Sequence, residues 1–107
     1  MIYADFLRNS SGNLKGIRLA DHANYSELGT DIVCAAVSSS FFLVANTVTE
    51  ILKITPLAVR AESGEMIINV RDEDTEACKV LFEGLKLHLT ELAEEYPQNL
   101  LVNITEV

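Results

Sequence analysis

Apolar and polar residues change period several times along the chain, and each change marks an element. Residues 2–7 alternate weakly, with Ile2, Ala4 and Phe6 on one side and Tyr3, Asp5 and Leu7 on the other, the period-two pattern of a strand. Asn9-Ser10-Ser11-Gly12-Asn13 supplies turn chemistry, and residues 14–19 (LKGIRL) read as the returning strand of a hairpin. Gly16 inside that strand marks a bulge or a close approach of another backbone. Residues 20–30 are polar, with Gly29 near their end, and read as a loop. Residues 32–49 then carry no charge, and twelve of those eighteen are apolar. That length and composition raise a membrane span, but Ser38, Ser39, Ser40, Asn46, Thr47 and Thr49 interrupt the run and no Lys/Arg cluster flanks it. The stretch reads instead as a central helix with Asp31 as its N-cap. It is apolar on most sides, buried against a sheet, with a second subunit as a further candidate neighbour.

The second half repeats the theme. Pro56 opens a strand over 57–62, with Leu57, Val59 and Ala61 on one face and Arg60 and Glu62 on the other. Ser63-Gly64 is a two-residue hairpin signal, and residues 65–71 return with Met66, Ile68 and Val70 on one face. Asp72-Glu73-Asp74 begins a helix in the acidic manner its dipole favours, and Cys78, Leu81, Leu85, Leu89 and Leu92 form its apolar stripe. Gly84 lies within that helix at a cost of about 1 kcal/mol relative to alanine. The helix stops near Tyr96-Pro97, and residues 99–105 form a last strand. The order β-β-α-β-β-α-β predicts an α+β fold. It is a two-layer sandwich of a mostly antiparallel sheet with both helices on one face, in one domain spanning residues 1–107.

Composition narrows the function classes. The chain is 49% hydrophobic and 22% charged, ordinary for a globular domain, and its net charge of −8 argues against nucleic-acid backbones as the main partner. Its two cysteines, Cys34 and Cys78, form no CxxC pair, and with His22 and His88 they lack any structural zinc spacing, so neither metal nor other cofactor is expected. Asp5 breaks the apolar N-terminus too early for a cleavable signal. The expectation is a cytoplasmic protein with free thiols and no membrane attachment.

Chemistry concentrates in His22–Ser38, HANYSELGTDIVCAAVS. With Asp31 as cap, Cys34 sits in the first helical turn, where orphan N–H groups and the helix dipole favour negative charge. Helical spacing puts Asp31, Cys34 and Ser38 on one face. His22 lies twelve residues upstream in a loop long enough to fold back, so it can reach the thiol as a general base, with Asp21 or Asp31 as candidate orienting residues. The plainer alternative is a packed cysteine and a solvated loop histidine. Cys78 fits the apolar stripe and His88 borders it, and both read as structural. Ser38-Ser39-Ser40 lacks the glycine frame of a nucleophile elbow.

His22-Ala23 followed by Gly29-x-Asp31-Ile32-Val33-Cys34-Ala35-Ala36-Val37-Ser38 resembles the signature of the ribosomal-processing cysteine protease family, Prp, and the resemblance extends over essentially the whole chain. It implies a cysteine endopeptidase that removes the N-terminal extension of large-subunit ribosomal protein twenty-seven. Cys34 would be the nucleophile and His22 the general base and acid. Asp31 and Ser38 match supporting positions, and Asp21, Ala23 and Gly29 belong to the substrate loop. It also implies a homodimer and a precursor peptide as partner. One position departs from the family pattern: Asp21 stands where a glycine usually precedes the histidine. An aspartate there either restricts the loop or stabilises a protonated His22. The first of these favours the rival function, a non-catalytic dimeric module that binds a ribosomal protein.

Overall fold

The computed structural model describes residues 1–21, 30–62 and 64–107. Strands β1 (Ile2–Arg8) and β2 (Leu14–Asp21) form the first hairpin. Its turn is built on Asn9, whose buried side chain accepts the backbone N–H groups of Ser11 and Asn13 and donates to Asp72. Helix α1 (Thr30–Asn46) runs into a π-turn at Thr47–Ile51. Strands β3 (Ala58–Glu62) and β4 (Glu65–Asn69) form the second hairpin, and Glu62 pairs with Glu65, so the turn takes the two residues expected. Gly64 supplies the positive φ, +90°, that such a turn needs. A 3-10 turn at Asp72–Asp74 leads into α2 (Thr75–Glu95), and β5 (Leu100–Glu106) completes the order.

The five strands lie in the order β3-β4-β2-β1-β5. Every neighbouring pair is antiparallel except β1–β5, which is parallel. The exception follows from connectivity. α2 carries the chain from β4 across two strands before β5 begins, and a crossover of that kind returns the next strand in the same direction. The expected α+β sandwich with a mostly antiparallel sheet is therefore the observed fold.

One face of the sheet is the core. Ile2, Ala4 and Phe6 of β1, Ile17 and Leu19 of β2, Ile68 of β4 and Leu100 of β5 are buried. They pack with Val33, Val37, Phe41 and Val44 of α1 and with Cys78, Phe82, Leu85 and Leu89 of α2. Burying a side chain the size of Phe6 or Phe82 contributes about 2–3 kcal/mol, so this face supplies most of the drive to fold. The alternate residues carry charge: Arg18 and Arg60 both reach Glu65, at 2.7 and 2.6 Å.

Gly16 satisfies both readings made of it. The pairing passes from Leu7–Gly16 to Arg8–Leu14, which leaves Lys15 as an extra residue, a β-bulge. A Cβ at Gly16 would stand 2.1 Å from the Ile68 carbonyl oxygen, so the neighbouring strand has room only for glycine.

Two expectations need correction. α1 begins at Thr30, so Asp31 is its second residue and not its cap. α1 is buried against the sheet as expected and is apolar on its outer side as well, where Ile32 and Leu43 are each 68% exposed and Phe42 is largely open. Length and composition would let Ile32–Ile51 cross a membrane, but its inward residues belong to the core just described, as in a central helix. Three of the six polar interruptions are satisfied locally: Ser40, Thr47 and Thr49 donate their hydroxyls to carbonyls four residues back. Finally, the α2 stripe is wider than expected, because Phe82 is fully buried while Leu81 and Leu92 are only partly so.

Candidate active site

Three segments meet where β2 ends. Register sets Leu19 opposite Met66, Ala20 opposite Glu65 and Ile2 opposite Asp21. The Asp21 N–H donates to the Gly64 carbonyl at 3.1 Å, which ties the end of β2 to the β3–β4 turn. Above them runs the first half of α1, with Cys34, Val37 and Ser38 on one helical face. Together they surround a cavity of about 220 Å³.

The cavity has two kinds of wall. Ile2, Leu19, Val37 and Met66 give it an apolar floor, and Asp21, Ser38, Glu62 and Glu65 give it a polar, mainly acidic rim. Hydrogen bonds from Arg18, and then from Arg60, hold the Glu65 carboxyl below its ordinary range, so it stays charged. Cys34 lines this cavity and is only partly buried. Its surroundings are those of a thiol that a ligand can reach.

Cys78 is placed differently. It lies wholly inside the core, where burial, and secondarily the Asp74 carboxylate, push its thiol pKa up. That is the setting of an inert packing cysteine. His88 borders a separate groove between α1 and α2, with Leu43, Val80 and Gly84, so neither residue of that pair belongs to the site.

Of the site residues expected from sequence, the structure brings Cys34, Ser38 and Asp21 to one cavity. Asp31 stands in the first turn of α1. His22, Ala23 and Gly29 lie outside the described residues. Sequence reasoning missed Ile2, Leu19, Met66 and the acidic pair Glu62 and Glu65 as parts of the site. Their alternation marked them as strand residues, but only the β2–β4 pairing brings them beside α1. Among the described residues, no group of three or more His, Cys, Asp or Glu side chains could hold a metal ion.

The chain carrying this cavity is similar, over nearly its whole length, to known proteins. Residues 1–101 match the family model described as Cysteine protease Prp, so the molecule is a cysteine-type peptidase. The chain belongs to the Prp family. It is 29% identical over 107 residues to the ribosomal processing cysteine protease Prp of Bacillus subtilis, covering 95% of this chain and 96% of that one. The crystal structure of the essential ribosomal processing protease Prp from Staphylococcus aureus with a substrate peptide shares the fold, with a TM-score of 0.86 and 24% identity over 98% of this chain and all of that one. A second structure of that protease, with a covalently linked product peptide, has a TM-score of 0.81 and 25% identity over the same shares.

Proposed function

We propose that this protein is the cytoplasmic endopeptidase that removes the N-terminal extension from large-subunit ribosomal protein twenty-seven, with Cys34 as nucleophile and His22 as general base and acid. The observation that carries the reading is the position of Cys34: a partly accessible cysteine on the wall of an apolar-floored cavity, in a chain matched almost throughout to a cysteine protease family.

In the proposed reaction His22 takes the thiol proton and the Cys34 sulfur attacks the scissile carbonyl, forming a tetrahedral oxyanion. Collapse of that intermediate breaks the C–N bond, and the amine leaves with the proton from His22. The remaining thioester is then hydrolysed by a water molecule that gives up its proton to His22. No cofactor takes part. Ser38 supports the site from the same helical face as Cys34, and Asp31 from the start of that helix. Asp21, Ala23 and Gly29 count in this reading as substrate-loop positions, on the strength of the family pattern alone.

The acidic rim and the net charge of −8 suit a precursor whose body is a basic ribosomal protein. A homodimer is part of the same reading, supported by the exposed apolar residues of α1, Ile32, Phe42 and Leu43, which a second copy would cover. The test is incubation with the full-length ribosomal protein precursor of the same organism, followed by mass spectrometry. A single cut near the N-terminus is expected, absent in Cys34→Ala and in His22→Ala. Normal cleavage by the Cys34→Ala protein would overturn the assignment.

A further inference from the structure

The cavity beside Cys34 has about 220 Å³ of space, less than the roughly 300 Å³ at which pockets for whole small molecules begin. It is the size of a compartment for one side chain. Its floor residues differ in how far they are committed to the fold. Ile2, Leu19 and Val37 are almost wholly buried, so their volumes are fixed by packing on the core. Met66 belongs to the partly buried residues that pack against that core from outside. On β4 it is paired with Leu19 on one side and with Ala61 on the other. Ala61 is small and exposed, which leaves an unbranched thioether free to change rotamer beside it.

We propose that Met66 determines which apolar side chain the enzyme accepts next to the scissile bond, by setting the size of the compartment beside Cys34. The inference rests on the peptidase reading above and names its specificity element. Met66 fills or vacates the compartment with little cost to the core, whereas changing Leu19 or Val37 alters size and stability together. A shorter residue at this position lengthens the compartment. A rigid aromatic one blocks it.

The experiment measures kcat/KM on precursor peptides in which the residue preceding the cut is alanine, leucine or phenylalanine. Met66→Ala is expected to raise the preference for phenylalanine over alanine at least about tenfold relative to the wild type, and Met66→Phe to reverse it by a similar factor. Met66→Leu, close in volume, is expected to keep the wild-type order, and thermal melts of all three variants identify any that fail to fold. Unchanged ratios in folded Met66→Ala and Met66→Phe overturn the inference while leaving the peptidase reading intact. A wild-type protein that cuts none of the peptides overturns both.

Discussion

Cys34 and Cys78 are the protein's two thiols, one on the wall of an open cavity and the other wholly enclosed in the core. Burial and the Asp74 carboxylate both disfavour ionisation of Cys78, so reagent access and thiolate formation fail together there. Iodoacetamide at neutral pH is therefore expected to modify Cys34 alone in the folded protein, with Cys78 reacting only after denaturant is added. Peptide mapping of the alkylated protein distinguishes the two. Equal labelling of both in native buffer would contradict the burial of Cys78.

Gly16 faces the β4 backbone with no room for a methyl group, its nearest neighbour being the Ile68 carbonyl oxygen. Backbone cannot swing aside as a flexible side chain does. Gly16→Ala is expected to destabilise the fold by on the order of 3 kcal/mol, read as a lower midpoint in urea unfolding.

Gly84 is the opposite case. It sits inside α2 with nothing within 4 Å of where a Cβ would lie, and its backbone is helical. Gly84→Ala is expected to stabilise the protein by about 0.5–1 kcal/mol, because alanine loses less backbone freedom on forming a helix. A melting temperature no higher than that of the wild type would show that the groove beside α1 needs the bare backbone.

Two surface carboxylates make the fold sensitive to acid. Glu65 is lowered from its ordinary 4.5 by hydrogen bonds from Arg18 and then Arg60, and Asp72 from 3.8 by hydrogen bonds from Asn9 and then Lys15. In both, the folded value lies below the unfolded one. Their contribution is thus present above the ordinary carboxylate range and is lost as pH falls through the depressed values. Both sites are open to solvent, so the effect is small and weakened by salt. Unfolding midpoints measured between pH 7 and 3 are expected to fall less steeply for Glu65→Gln and Asp72→Asn than for the wild type. The difference should shrink at high ionic strength.

The alternation of Ile2, Ala4 and Phe6 and the i, i+3, i+4 spacing around Cys78 were enough to order the seven elements, because these periods state which side faces a core. They could not state which strands are neighbours. The parallel pairing of β1 with β5, and the placement of β4 between β3 and β2, depend on contacts between distant segments that leave no local mark. The same limit applied to the site. Cys34 stood out through its place at a helix start, whereas Met66 and Glu62 read as ordinary strand residues until register set their hairpin against α1. Which side of α1 meets the sheet was equally hidden, because its outward apolar residues Ile32 and Leu43 carry the same hydrophobic signal as its inward ones.

The parallel pairing of β1 with β5 ties residue 2 to residue 100, and Ile2 is also part of the cavity floor. During synthesis the first strand is made early but has only β2 beside it until the last strand emerges. Contacts so distant in sequence form late and slow the search for the native state. The cavity floor gains its full sheet support only when translation has reached β5, so a nascent chain is expected to carry Cys34 without a finished compartment around it. Proteolytic competence is in this way deferred until β5 has been made.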